Sequence, residues 1–165
     1  MISLLEVATN LYVGTSLEAR QVFQKEEWRL ANVAKTIHLE IHHWSKPDNK
    51  SPYYILHEEQ QWISVNWVDA PRPELFNYQN KGVSVVKKVL VFIQKGLQED
   101  KKVLVSCDQG LSRSPSVAML YLAKVLYTIP DRSFAEAARE FVRIYPRYQP
   151  ASGIGMFLAE HWFEF

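Results

Sequence analysis

A chain of 165 residues, 47% hydrophobic, is long enough to bury the core of one domain and too short for two. A net charge of +1 excludes a generic nucleic-acid or membrane-surface binder, which would carry a basic excess, so attraction for a charged partner has to be local. One cysteine excludes an internal disulfide and fits a reducing compartment, and with no basic leader and no stretch near membrane-spanning length the expectation is a cytoplasmic protein.

Leu11 to Val13 reads as a short strand that Gly14 breaks. Thr15 with Glu18 three residues later forms a capping box, opening a helix with Ala19, Val22, Phe23 and Leu30 at helical spacing. Ala34 to Leu39 reads as a strand. The tract Lys46-Pro47-Asp48-Asn49-Lys50-Ser51-Pro52 continues neither element and is a loop. His38, His42 and His43 lie close together, but no cysteine or carboxylate cluster completes a ligand set, so no metal site is expected. Trp28, Trp44, Trp62, Trp67 and Trp162 read as packing residues rather than as a stacking platform for bases.

Ile63, Val65 and Trp67 alternate with Ser64 and Asn66, which gives a strand over Ile63 to Val68. It runs out at Asp69-Ala70-Pro71, where the proline forbids regular continuation. Glu74 to Gln98 carries Val86, Val89, Leu90, Ile93 and Leu97 on one face and is an amphipathic helix whose start Gly82 blurs. Lys102 to Val105 returns as a buried strand.

Ser106 to Pro115, reading S-C-D-Q-G-L-S-R-S-P, then turns from strand to helix. Such a turn points successive N–H groups into one hollow, and the following helix end adds positive potential, so the hollow favours an anion. Gly110 allows a positive φ, Ser114 suits an N-cap and Pro115 the first helical position. Arg113 offers a planar fork that matches two oxygens of a phosphate. The field that draws in a phosphate also favours the thiolate, the nucleophilic form of Cys107.

Ser116 to Ile129 is apolar nearly all round and reads as a central buried helix ended by Pro130. Ser133 and Glu136 form a second capping box, and Phe134 to Tyr145 is amphipathic. Arg139 and Arg143 are spaced for salt bridges with Glu136 and Glu140, and Arg143 or Arg147 is a candidate for a second phosphate or an acidic residue of a substrate. Gly153 to Phe165 reads as a terminal helix. The element order gives one α/β domain over residues 1–165, a central, mainly parallel sheet of four or five strands with helices on both faces.

Cys107, five intervening residues and Arg113, followed by Ser114, resemble the signature of the cysteine-dependent protein phosphatases, closest to the dual-specificity branch. Trp67-Val68-Asp69 resembles the acid loop of that family, and the tail around Pro150 and Gly153 resembles the end of its catalytic domain. The resemblance implies hydrolysis of phosphate monoesters on tyrosine and on serine or threonine of a phosphorylated protein or peptide, by a monomer with no cofactor. Cys107 is then the nucleophile, Asp69 the acid for the leaving oxygen, and Ser114 a support for the departing thiolate. Asp108, Gln109, Gly110, Leu111, Ser112 and Arg113 hold the phosphate. An inward carboxylate would repel that phosphate, so Asp108 is expected to point outward, and Glu74 suits a helix first turn better than an acid role.

The family usually has histidine just before the cysteine, where this chain has Ser106, and often alanine where it has Gln109. The first departure leaves open a module that binds phosphoresidues without turnover. Phosphoinositides and RNA 5′ phosphates are alternative substrates, although relatives directed at lipids tend to carry lysines in the loop and this one has none. Sulfur transfer and arsenate reduction also use a cysteine in an anion loop, but neither gives Asp69 a job.

Overall fold

The computed structural model of the chain describes residues 4–42, 55–58 and 61–165. Six strands make one sheet: β1 Leu5–Ala8, β2 Leu11–Gly14, β3 Trp28–Asn32, β4 Ile55–Glu58, β5 Trp62–Val65 and β6 Lys102–Ser106. Their spatial order is β1-β2-β6-β3-β5-β4. The four inner strands are parallel, and β1 and β4 close the edges antiparallel. The architecture is the mainly parallel α/β sheet expected, with six strands where four or five were read. Both extra edges are four residues long and show no alternation in sequence strong enough to stand without the pairing.

Side chains alternate between the faces of the sheet along each inner strand. Tyr12, Leu104, Leu30 and Trp62 are in register across β2, β6, β3 and β5 and point to one side, against α1 (Ser16–Val22) and α2 (Lys35–His42). Val13, Val105, Ala31 and Ile63 form the adjacent row and point to the other. That side holds the larger core, filled by α3 (Gly82–Gln98), α4 (Arg113–Leu120), α5 (Phe134–Ile144) and α6 (Ser152–Glu160).

Several boundaries differ from the sequence reading. The first helix ends at Val22, and Leu30 is a buried residue of β3 instead. Ala34 to Leu39 is not a strand, because the turn into α2 is fixed from outside the segment. Asn32 Oδ1 accepts the Ala34 N–H at 3.3 Å, and the carbonyl of Trp67 accepts the Lys35 N–H at 2.8 Å. Once that turn is set, Ile37 and His38 fall on the buried side of a helix. Strand β5 stops at Val65, and two short 3₁₀ turns, Pro73–Phe76 and Tyr78–Asn80, precede α3 at Gly82. Helix α4 starts at Arg113 with Ser112 as its N-cap, so Ser114 is not the cap and Pro115 is the third helical residue, still among those whose N–H has no helical acceptor. Every residue of α4 is buried, and it passes into a π-helical turn, Tyr121–Val125. The loop from Lys46 to Pro52, His43 and Trp44 lie outside the described residues, as does the side chain of His42.

The Thr15 capping box is present: Thr15 N–H and O–H both donate to Glu18 Oε1 at 2.8 Å, and Thr15 Oγ1 accepts from Leu17 N–H at 3.2 Å. Ser133 caps α5 by accepting the Glu136 N–H at 3.1 Å, but Glu136 turns outward to Arg132. Arg143 pairs with Glu140 at 3.7 Å. Among the described residues no helix is long and apolar enough to cross a membrane, and no group of three His, Cys, Asp or Glu side chains is arranged to hold a metal ion.

Candidate active site

Strand β6 is the central rail of the site, flanked on both sides by parallel neighbours, and it delivers Cys107 to the carboxyl end of the sheet, where open α/β folds gather their ligands. The chain then arches through Asp108 to Ser112 and enters α4 at Arg113. Gly110 sits at φ 68°, the left-handed region the arch needs, and a Cβ there would lie 3.2 Å from the Gly14 carbonyl. Among the described residues, the backbone N–H groups from Asp108 to Arg113 find no acceptor within the chain. They are donors left over in a concave loop at a helix N-terminus, the arrangement that binds oxyanions.

The loop lines a cavity of about 290 Å³ together with Asp69, Gln149 and Ala151. Cys107, Asp108, Gln109, Leu111, Ser112 and Arg113 all face it. Cys107 is 2% exposed, and its Sγ lies 3.1 Å from Ser114 Oγ, a hydroxyl that reaches it from the helix side. Arg113 is buried, with Nη1 donating to the Trp67 carbonyl at 2.8 Å. Gly110 and Ser114 do not line the cavity; they shape and back the loop.

A second segment straps the loop from outside. Tyr145 O–H donates to the Gly110 carbonyl at 2.6 Å, Arg147 Nη2 to the Gln109 carbonyl at 3.4 Å and Gln149 N–H to the Leu111 carbonyl at 2.8 Å. Ala151 N–H donates to Ser112 Oγ at 2.9 Å. Burial pushes the Tyr145 hydroxyl above its ordinary value and so keeps it a donor. Tyr148, donor or acceptor to Ser116 at 2.8 Å, is raised more strongly by the same cause. Gln149, Ala151 and Tyr145 were not among the residues singled out from sequence; the one signal was the pair Pro146 and Pro150, which bracket a stiff turn. Arg147 contacts the back of the loop, while Arg143 stays on the solvated face of α5.

Asp69 reaches the cavity from the end of β5 and is exposed. Trp67 and Ala70, on either side of the exposed pair Val68 and Asp69, are buried. Trp67 is buried edge-on against Phe76, with ring centroids 5.2 Å apart, and its carbonyl serves both Arg113 and Lys35 N–H. Beyond the acid, Ser152 Oγ donates to the Pro71 carbonyl at 3.0 Å. Gly153 packs so closely that a Cβ would come within 2.0 Å of the Ala70 oxygen.

Ser106, in place of the usual histidine, belongs to a polar row that crosses four strands directly beneath the loop. Gly14, Ser106, Asn32 and Ser64 are in register, and the three polar side chains are fully buried. Ser106 Oγ donates to Asn32 Oδ1 at 3.4 Å, Asn32 Nδ2 donates to Ser64 Oγ at 2.9 Å, and His38 Nδ1 meets the same hydroxyl at 2.8 Å. Buried polar groups held this way fix one geometry, because a partner lost in the interior is costly.

Asp108 departs from expectation. It does not turn away from the hollow: Oδ2 lies 3.3 Å from Arg113 Nη2, and Oδ1 is buried with no hydrogen-bond partner among the described residues. The neighbouring Arg113 guanidinium attracts the carboxylate and keeps it from turning outward.

A buried cysteine at the mouth of β6, an arch of free amides and an arginine heading the next helix place the chain in the cysteine-dependent phosphatase superfamily. Within it the chain belongs to the dual-specificity branch: the profile of the dual specificity phosphatase catalytic domain matches residues 22–139. Its fold is that of human DUSP28, at 18% identity and TM-score 0.65, over 98% of this chain and 93% of that one. It is likewise similar to Tk-PTP in its active form, at 19% identity and TM-score 0.64 over 99% and 98% of the two chains. The human tyrosine phosphatase-like serine/threonine/tyrosine-interacting protein matches at 19% identity and TM-score 0.63, over 96% and 94%. No curated protein matches the chain in sequence.

Proposed function

We propose that this protein hydrolyses phosphate monoesters on tyrosine and on serine or threonine of phosphorylated proteins, working as one cytoplasmic catalytic domain. The observation that carries the reading is the convergence of Cys107, Arg113 and Asp69 on one cavity, with the loop amides unpaired around it. The Cys107 thiolate attacks phosphorus in line with the ester oxygen. A P–S bond forms as the P–O bond breaks, and Asp69 gives its proton to the leaving oxygen. The amides of Asp108 to Arg113 and the Arg113 guanidinium take up the charge on the equatorial oxygens. Water then attacks the cysteinyl-phosphate, Asp69 accepts its proton, and the P–S bond breaks. The Ser114 hydroxyl, 3.1 Å from Sγ, donates to the departing thiolate. Burial of the sulfur supports this role, since a group 2% exposed at the cavity floor meets a phosphate held by the loop and little else.

The test is turnover of an aryl phosphate, followed by phosphotyrosine and phosphothreonine peptides, phosphoinositides and 5′-phosphorylated RNA side by side. Hydrolysis of both kinds of peptide above the other substrates is expected. Peptide binding without turnover assigns the protein to phosphoresidue binding, and neither binding nor turnover defeats the reading.

A further inference from the structure

Arg113 grips a phosphate best through the edge formed by Nε and Nη2, whose hydrogens point the same way and match two oxygens. In this protein the third nitrogen, Nη1, is committed to the Trp67 carbonyl at 2.8 Å. Nη2 is taken by Asp108 Oδ2 at 3.3 Å, while Nε is buried and has no partner among the described residues. The other oxygen of the carboxylate, Oδ1, is also buried and unpartnered, in a loop whose own amides have no acceptor. The Asp108 side chain is 39% exposed, so it can rotate into solvent without crossing the core.

We propose that Asp108 is an internal competitor for the phosphate site: in the free protein its carboxylate holds Arg113 Nη2, and a ligand must displace it to bind. The proposal rests on the phosphatase reading of the same cavity. Three observations support it together. The carboxylate sits on Nη2, one of the two nitrogens a phosphate needs, its other oxygen is buried without a donor among the described residues, and an escape route to solvent is open. A negative group kept beside a dianion costs binding, so the bound state has the carboxylate turned out and Nη2 passed to the phosphate. No bond is made or broken; the exchange is one anion for another on a fixed cation. Asp108 therefore determines how strongly an oxyanion must bind to enter, and its carboxylate raises both KM and the inhibition constant of the product.

The experiment is calorimetric titration of inorganic phosphate into the protein and into Asp108→Asn, a change of charge at constant shape, with KM for an aryl phosphate measured in parallel. Asp108→Ala serves as a second variant, and circular dichroism checks that both fold. Both variants should bind phosphate roughly tenfold more tightly than the parent, with KM falling in step, the size of effect expected when a charge-assisted hydrogen bond no longer has to be broken. Equal or weaker binding by Asp108→Asn overturns the proposal and leaves the phosphatase reading standing, as does tightening by the alanine variant alone, which would report space rather than charge. Absence of phosphate binding and turnover in all three proteins overturns the reading of the cavity as well.

Discussion

The loop that carries Cys107 and the stretch that carries Asp69 meet at one cavity but are secured in different ways. The first is immobilised along its length: its floor is a row of buried polar side chains, its carbonyls are bound by Tyr145, Arg147 and Gln149, and a fully buried helix continues from it. Among the described residues the second is anchored at its ends, by Trp67 on one side and by Ala70 and Pro71 on the other, with Val68 and Asp69 exposed between. The difference fits the roles proposed above for the two groups. In-line attack tolerates little misplacement, so the nucleophile is held on every side. A proton donor has to exchange with water between turnovers, so it is carried on an open span.

The comparison can be broken most severely at the nucleophile. Cys107→Ser should lower aryl phosphate turnover by more than about 10⁴-fold, because it removes the attacking group. Calorimetry should still register phosphate, since the loop amides and Arg113 remain. Asp69→Asn should cost about 10²-fold or more in kcat with a poor leaving group and change KM little. A much smaller loss with a good leaving group such as nitrophenolate, read in the same assay, would mark the defect as one of proton donation.

Two substitutions away from the reacting groups sharpen the contrast. Gly153→Ala forces a Cβ to within 2.0 Å of the Ala70 oxygen, so the acid span must shift while the nucleophile loop stays. Overpacking of this kind costs about 1–3 kcal/mol, measurable by urea unfolding, and kcat should fall more than phosphate affinity. Tyr145→Phe deletes the 2.6 Å bond to the Gly110 carbonyl and loosens the other loop. It should cost about 1 kcal/mol in stability, and here phosphate affinity should fall along with kcat.

The smallest effect is expected far from both loops, at the Arg20–Glu40 pair that joins α1 to α2 with a 2.6 Å contact. The Arg20 hydrogen bond holds the Glu40 carboxyl below its ordinary value, so its contribution is present above the unfolded carboxyl pKa and is lost as pH falls through the lower folded one. Both side chains are nearly half exposed, so Glu40→Gln should cost no more than about 0.5 kcal/mol at neutral pH in thermal melts, and the difference from the parent should shrink in acid.

The nucleophile loop was legible in the sequence because its parts are contiguous: the cysteine, the glycine and the arginine fall within seven residues, between an apolar strand and an apolar helix. The position of Asp69 at the cavity was legible through its place at a strand end before proline. The Thr15 cap was visible because both partners are local. What escaped was settled by distant groups. Ala34 to Leu39 reads as a strand, and the start of α2 is set by the Trp67 carbonyl and the Asn32 side chain. The polar row beneath the cysteine depends on register across four strands, and the strap by Tyr145 and Gln149 joins segments more than thirty residues apart. The inward turn of Asp108 is not legible either, because it depends on a folded contact with the Arg113 guanidinium five residues on.

The carbonyl of Trp67 accepts from Arg113 Nη1 and from the Lys35 N–H, both at 2.8 Å. A single oxygen atom two residues upstream of Asp69 thus joins the anion grip, the proton donor and the opening turn of α2. An inhibitor that drags the arginine aside would also unsettle the acid and strain a surface helix, so resistance arising in α2 without any contact to the drug is a foreseeable route of escape.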